Sequence, residues 1–209
     1  MMRRLGKILD KDWPAWLISS VFHPVFIPFY TVLLYFHLSS YFFYNFPRLL
    51  KIIFLPAVVV PLLLQFLLWR MHILKSFFLI TSQARLYFTL LMAFIYLLLF
   101  RLIQPLPVLK ELSVFFLGVS ISLFLAAFFN LFRLRPSLHA LAFAGGFFFL
   151  LLHSYRHREN ILDILALWIF TATLTIAARF KLNAHTPAEI FLGLLSGFAG
   201  IGLAYLYLY

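Results

Sequence analysis

Long apolar runs separated by short polar breaks are the feature that most constrains this chain of 209 residues. A helix needs about 20 mostly apolar residues to cross a bilayer, and backbone polar groups in lipid must be satisfied within helices or closed barrels. The mean hydropathy of the sequence is +1.02. The apolar runs cover residues 15–38, 49–69, 86–104, 111–130, 138–153, 161–178 and 187–208. We therefore predict an all-α, polytopic transmembrane helical bundle with six to seven spans.

The composition and the order of the runs predict a single integral-membrane domain over residues 1–209. Only 11% of the residues are charged, whereas a soluble domain is roughly a quarter charged. Neither an internal repeat nor a long linker divides the chain. Residues 1–12 mix charged and apolar side chains, which predicts an interfacial lead-in. His23-Pro24 and Pro28 interrupt the first apolar run and predict a kinked or re-entrant start before the first span.

The net charge of +11 limits the kinds of partner that the chain is expected to bind. In a membrane protein such an excess indicates loops that meet anionic lipid headgroups. The cations are spread over many short loops, and no basic run reaches the length of a nucleic-acid-binding arm. We expect the lipid bilayer as a partner and no nucleic acid. The chain has no cysteine, which excludes disulfides and thiolate chemistry.

The most polar stretch between two apolar runs extends from Ala178 to Glu189. It holds two cations, an amide, a histidine, a threonine and a carboxylate within twelve residues. His185 and Glu189 are four residues apart, so a helix that begins at or before His185 places both on one face. A carboxylate in that position can hold one imidazole nitrogen and leave the other to attack phosphorus.

A second polar turn, residues 130–139, leads into the fifth apolar run and carries Arg135, Ser137 and His139. If the chain crosses the membrane seven times, the turns before the third, fifth and seventh spans lie on one side. Arg85, at the start of the third span, then joins both turns. Arginine binds phosphate bidentately, histidine transfers protons near neutral pH, and a helix N-terminus attracts anions. These residues predict a phosphate site.

Each of these residues also has a simpler structural explanation. Thr186 to Glu189 form a capping box, in which the carboxylate only caps the seventh span. Ser137 can be an ordinary helix-start hydroxyl, and Arg179 can mark the charged end of a span. His185 alone fits an interfacial histidine. The functional interpretation depends on both turns placing an arginine and then a histidine at the start of a span.

Both turns resemble signatures of the type 2 phosphatidic acid phosphatase superfamily. The pattern Arg-x5-His-x3-Glu that begins at Arg179 resembles the third signature, Ser-Arg-x5-His-x3-Asp. The pattern Pro-Ser-Leu-His that begins at Pro136 resembles the second signature, Pro-Ser-Gly-His. The resemblance covers about residues 115–209. It implies a membrane-bound lipid phosphatase that needs no metal and no cofactor.

The resemblance implies a role for each matching residue. His185 would be the nucleophile that forms a phosphohistidine, Glu189 would orient it, and His139 would be the general acid. The substrate would be a phosphate ester or pyrophosphate on a lipid. Phosphatidate, phosphatidylglycerol phosphate and a polyprenyl pyrophosphate are the candidates.

The same resemblance supplies phosphate-binding candidates. Arg179 and Ser137 match the signatures. The first signature, Lys-x6-Arg-Pro, is incomplete, because Phe128 stands seven residues before Arg135, where the lysine belongs. Arg135 would still bind phosphate, and Arg85 is the first choice to replace the missing cation, ahead of Arg133 and Lys75.

The chain also departs from the signatures at Ala178 for Ser, Leu138 for Gly and Glu189 for Asp. These departures keep a second hypothesis open. In that hypothesis the protein is a non-catalytic member of the same fold that acts in lipid binding, transport or as a scaffold. We expect a multi-pass protein of the plasma (inner) membrane. The positive-inside rule places the site turns in the cytoplasm, whereas the resemblance implies an outward-facing site.

Two further patterns have structural interpretations. Residues 153–160 are rich in histidine and arginine and predict a solvated loop on the opposite side of the membrane. We predict no metal site there, because carboxylates are scarce and the spacing matches no familiar set of ligands. Gly193-x3-Gly197, with Gly200 and Gly202, predicts a small-residue face for close helix packing inside the bundle.

Overall fold

The computed structural model describes residues 2–39, 46–71 and 82–209, with side chains for 12–39, 49–71 and 83–209. Every regular element in this part of the chain is helical. The helices are α1 (Met2–Val21), α2 (Ile27–Leu38), α3 (Phe46–Phe54), α4 (Val60–Arg70), α5 (Ser82–Ile103), α6 (Lys110–Leu131), α7 (Leu138–His157), α8 (Leu162–Lys181) and α9 (Pro187–Leu208). A π-helical turn, Leu55–Val59, joins α3 to α4, and a short 3-10 turn, Pro107–Leu109, precedes α6.

Six stretches of the described chain are long and apolar enough to cross a membrane. They are Leu49–Arg70, Gln83–Ile103, Pro107–Leu131, Leu138–His157, Leu162–Lys181 and Pro187–Leu208. The predicted all-α, polytopic membrane bundle with six to seven spans is confirmed. The chain is an integral, multi-pass membrane protein.

The first apolar run does not form a full span. Its helix stops after Val21 and resumes at Ile27, because proline lacks an N–H and disfavours helical geometry in the residue before it. The break predicted at His23-Pro24 is therefore present. The full span predicted after it is wrong, since α2 has 12 residues. Such a helix reaches about 18 Å, short of the roughly 30 Å hydrocarbon core.

Helix α1 covers the predicted lead-in and continues beyond it. The helix bends at Asp12, where φ is −118° and ψ is 15°, two residues before Pro14. The Asp12 carboxylate lies 3.4 Å from Lys181 Nζ at the end of α8. This ion pair holds the second half of α1 against the end of α8. The side chains before Asp12 lie outside the described residues.

Glycines on α9 allow it to pack closely against α7 and α6. A Cβ at Gly193 would collide with the backbone of Ser137, and one at Gly197 with the carbonyl of Leu141. The predicted small-residue face therefore packs inside the bundle. The close approach brings the starts of α7 and α9 together, and the Ser137 N–H donates to the Glu189 carbonyl at 2.8 Å.

The helices alternate in direction and define two ends. The mouth end contains the starts of α5, α7 and α9 and the ends of α6 and α8. The far end contains the ends of α5, α7 and α9 and the starts of α6 and α8. The contact between Ser137 and Glu189 confirms that the two polar turns meet at the mouth end.

The solvated loop predicted for residues 153–160 is wrong for its first five residues. Helix α7 continues to His157 and ends where Arg158 adopts a left-handed φ of 55°. His153 is 4% exposed. The helix persists because Glu111, at the start of α6, accepts hydrogen bonds from His153 and His157. His153 Nδ1 and His157 Nε2 therefore have a hydrogen-bond partner within the bundle.

Candidate active site

The turn between α8 and α9 holds His185 against Glu189. Thr186 caps α9: its Oγ1 accepts the Glu189 N–H at 3.3 Å, and Glu189 Oε2 accepts the Thr186 N–H at 3.1 Å. The same Oε2 lies 3.2 Å from His185 Nδ1. One carboxylate therefore caps the helix and holds the imidazole. The two explanations of Glu189 that the sequence allowed are compatible.

His139, in the first turn of α7, is held by a residue from α1. Its Nε2 lies 3.4 Å from Ser19 Oγ and 3.3 Å from the Ser19 carbonyl oxygen. Arg179, near the end of α8, donates from Nη1 to the same Ser19 Oγ at 2.9 Å. Ser19 thus links the histidine of one turn to the arginine of the other.

Arg85 extends from α5 to the start of α7. Its Nη2 donates to the Pro136 carbonyl at 2.8 Å, just before α7 begins. The alternative cation Lys75 falls in residues 72–81, outside the described part of the chain.

One guanidinium nitrogen at the mouth end makes no hydrogen bond to the described residues. Arg179 Nε is buried and has no hydrogen-bond partner among the residues that the structure describes. Buried donors without an acceptor are rare in folded proteins. An anion bound beside Arg179 would supply the missing acceptor.

These side chains line one cavity of about 380 Å³. The polar lining comes from five helices and two connections between helices, and it includes Ser19, His23, Gln65, Arg85, His139, Arg179 and His185. The apolar lining comes mainly from α1, the α1–α2 connection, α4 and α5, and includes Trp16, Pro24, Val25, Phe26, Leu62 and Phe88. The cavity is therefore lined by both cationic and apolar side chains.

Two of the predicted phosphate-binding residues do not line this cavity. Ser137 is 1% exposed, and its Oγ caps α7 by accepting the Ala140 N–H at 3.5 Å. Arg135 has a side chain that is 49% exposed, and its Nε pairs with Glu189 Oε1 at 3.2 Å. Ser137 therefore has the helix-start position that was its simpler explanation, and Arg135 contacts the carboxylate that holds His185.

Burial and nearby cations control the protonation of the site. The pKa of His185 is lowered from 6.5 to about 4, chiefly by burial and then by the charge of Arg85. The pKa of His23 is lowered to about 4 by burial and by Arg179. Both imidazoles are therefore neutral at pH 7. With Nδ1–H directed at Glu189, His185 keeps a lone pair on Nε2.

The sequence did not point to several polar residues of this cavity, among them His23 and Ser19. His23, expected to be interfacial, lies with its ring centroid 6.1 Å from that of His139. Ser19 is 5% exposed and bonds to both turns. The only available signal was the histidine-proline pair inside an apolar run, because a helix break in lipid needs polar or protein partners for its free backbone groups.

No metal-binding geometry occurs at the mouth end in the described part of the chain. The one described group of three or more suitable side chains is Glu111, His153 and His157, at the far end. Comparisons with protein-family models, curated proteins and solved structures found no match to this chain.

Proposed function

We propose that this protein hydrolyses a phosphate ester or pyrophosphate on a membrane lipid through a phosphohistidine at His185. The observation that carries the proposal is the shared cavity. Imidazoles from His139 and His185 and guanidiniums from Arg85 and Arg179 line one space, although they come from four different helices or turns. Such a set supplies a nucleophile, an acid and charge compensation, which displacement at phosphorus requires.

The first step forms a bond between His185 Nε2 and phosphorus. The bond from phosphorus to the lipid oxygen breaks, and His139, which enters the step as an imidazolium beside the bound anionic phosphate, gives a proton to that oxygen. Glu189 accepts the Nδ1–H of His185 and stabilises the positive charge that develops on the imidazole. Arg135 contacts the outer oxygen of Glu189 and is assigned a positioning role.

The second step releases phosphate. His139, which lost its proton in the first step, takes a proton from a water molecule as the oxygen of that water attacks phosphorus. The bond between phosphorus and Nε2 breaks, and the electron pair returns to the imidazole of His185. The cycle ends with inorganic phosphate and restores both histidines, so it needs no cofactor.

Arg179 and Arg85 are the phosphate-binding residues of the proposal. The unpartnered Nε of Arg179 supports this assignment, because charge-assisted hydrogen bonds to phosphate are strong. Arg85 carries the cation that the incomplete first signature lacks. Ser137 supports the site indirectly as the cap of α7.

The lining of the cavity favours a lipid substrate. Trp16, Phe26 and Leu62 line the same cavity as the charged groups of the turns, and a phospholipid or polyprenyl phosphate likewise has an anionic and an apolar part. Six candidate spans support a substrate that is itself part of the bilayer. We assign the protein to the plasma (inner) membrane on the resemblance of the two turns.

A non-catalytic role in lipid-phosphate binding is the second candidate. The observation that favours it is the use of Ser137 and Arg85 in contacts with the protein backbone. When some of the polar groups of a site bond to the protein backbone, the site can bind an anionic lipid without hydrolysing it.

The test is release of inorganic phosphate from phosphatidate, phosphatidylglycerol phosphate and a polyprenyl pyrophosphate in mixed micelles. Purified wild type is expected to hydrolyse at least one lipid, and His185→Ala is expected to fall to background. His37→Ala, which removes an exposed histidine of α2, is the matched control and should retain activity. Binding of these lipids without hydrolysis would favour the second candidate, and an active His185→Ala would contradict the mechanism.

A further inference from the structure

The far end of the bundle carries a cluster that the proposed reaction does not use. Glu111 lies in the first turn of α6. His153 and His157 are four residues apart near the end of α7, a spacing that places both imidazoles on one helix face. We propose that these three side chains bind a divalent transition-metal ion of the zinc class.

The three side chains lie close together, and both histidines contact the carboxylate of Glu111. His153 Nδ1 lies 2.9 Å from Glu111 Oε2, and His157 Nε2 lies 2.9 Å from Glu111 Oε1. One ligand atom from each residue lies within 4.8 Å of the others. Zinc binds such atoms at roughly 2.0–2.2 Å, which separates tetrahedral ligands by roughly 3.4 Å. The hydrogen-bonded pairs therefore need to open by about 0.5 Å, and the widest pair of ligand atoms needs to close by up to about 1.4 Å, to hold the ion.

The positions of the imidazole protons, compared without and with a metal ion, support the same site. Without metal, each imidazole donates an N–H to Glu111. With metal, the ion takes the lone pairs of those nitrogens, and each ring carries its proton on the opposite nitrogen. For His153 that nitrogen is Nε2, which is buried, has no hydrogen-bond partner among the described residues, and lies 3.7 Å from Glu159 Oε2.

Glu159 is thus an independent observation that points to a metal. Metal-bound histidines usually donate their second N–H to a carboxylate or carbonyl, which fixes the ring and raises its basicity. In the metal-free cluster the 3.7 Å separation is too long for a hydrogen bond. The arrangement places His153 between two carboxylates, one as a fellow ligand and one as an outer partner.

The types of ligand atom determine which metal ion the cluster can bind, and the exposure of its histidines determines how the ion enters. Two imidazole nitrogens and one carboxylate suit zinc, whereas calcium and magnesium prefer oxygen ligands. The side chain of His153 is 3% exposed and that of His157 is 40% exposed, so an ion reaches the cluster past His157. Three protein ligands leave a fourth position for water. The bound ion would tie the start of α6 to the end of α7.

Arg156 is the closest competing cation. Its Nε lies 3.4 Å from Glu111 Oε1, and its guanidinium carbon lies 3.9 Å from the centre of the Tyr209 ring. Stacking on Tyr209 holds the guanidinium without help from Glu111. Arg156 is therefore a neighbour of the cluster but not a ligand, and it serves as a matched control on the same helical turn.

The experiment measures zinc bound by the purified full chain after chelator treatment and dialysis against Zn²⁺. Wild type and Arg156→Gln are expected to bind one ion per chain. His157→Gln is expected to bind at least about 100-fold more weakly, because loss of even an outer partner weakens metal binding roughly 10–100-fold. Glu159→Gln is expected to weaken binding about 10-fold. Cobalt in place of zinc should give the visible absorption of a tetrahedral site.

The variants separate a metal site from a hydrogen-bonded clamp. Wild type that binds no stoichiometric zinc would overturn the proposal, as would equal affinities in wild type and His157→Gln. Loss of zinc from Arg156→Gln to the same extent as from His157→Gln would also overturn it, because general damage to the helix end would then explain both. His157 is partly exposed, so its variant is expected to fold.

Discussion

The two ends of α7 carry histidines in opposite electrostatic surroundings. At the mouth end, His139 faces a cavity that it shares with Arg179. At the far end, His153 lies between the carboxylates of Glu111 and Glu159. The fourteen residues from His139 to His153 correspond to roughly 21 Å of helix, so neither set of neighbours touches the other.

The charged side chains around a buried imidazole decide whether the site binds an anion or a cation. Guanidiniums beside histidines make a place for an anion that a nucleophile can attack. Carboxylates beside histidines make a place for a cation that accepts lone pairs. One helix thereby supports a proposed phosphate site at one end and a proposed metal site at the other.

The largest effect is expected from His139→Gln at the mouth end. Loss of the general acid should slow hydrolysis of a phosphate monoester about 10²–10⁴-fold. A lipid pyrophosphate, whose leaving group needs less protonation, should be slowed less. Initial rates with phosphatidate and a polyprenyl pyrophosphate measure the difference. Equal rates for the variant and wild type on both lipids would remove His139 from the mechanism.

A glycine substitution tests how the mouth end is assembled. Gly193→Ala should destabilise the bundle by about 1–3 kcal/mol, because its Cβ would collide with the backbone of Ser137 and push α9 from α7. Gly202→Ala is the matched control: its Cβ would lie 3.4 Å from Phe148 Cε1, so stability should be unchanged or slightly higher. Thermal unfolding of both variants in the same detergent measures the effect. Equal stability of the two variants would contradict the close packing.

A smaller, pH-dependent effect is expected at His185. Its pKa of about 4 in the folded protein lies below its ordinary 6.5, so the folded state favours the neutral imidazole. The stability that this contributes is fully present above pH 6.5 and is lost as pH falls from 6.5 towards 4. Histidine carbon NMR of wild type, with His185→Gln for assignment, should show a neutral ring at pH 5.5. A ring half-protonated near pH 6.5 would contradict the burial of this site.

The smallest effect is expected from His157→Gln on lipid hydrolysis. Distant sites without shared partners usually act independently, so the rate should change by less than about twofold. The converse measurement, zinc binding by His185→Ala, should match wild type. A large loss of hydrolysis in His157→Gln would show that the two ends are coupled through α7.

The spans and the meeting of the two turns could be predicted from sequence. Apolar runs of about twenty residues and the cap at Thr186 are local signals, and they fix where α9 begins. An even number of crossings between His139 and His185 then brings both to one end. The resemblance of the turns suggested roles for these residues, and those roles stay predictions.

The far-end cluster and the full lining of the mouth could not be predicted. Glu111 is 42 residues from His153. No local sequence pattern predicts that a carboxylate of one helix will accept hydrogen bonds from histidines of the next helix. The polar composition after Leu152 therefore indicated a loop. Ser19 and His23 were missed for a similar reason, because only the packing of α1 on α8 places them beside His139.

The central claim is a covalent phosphohistidine at the mouth end. The most direct measurement is to mix the protein with a lipid carrying radiolabelled phosphate, quench within one turnover and locate the label by peptide mapping. We expect an acid-labile, base-stable label on His185 that is absent from His185→Ala and persists in His157→Gln. Phosphate release by wild type without any label, or a label that survives in His185→Ala, would contradict it.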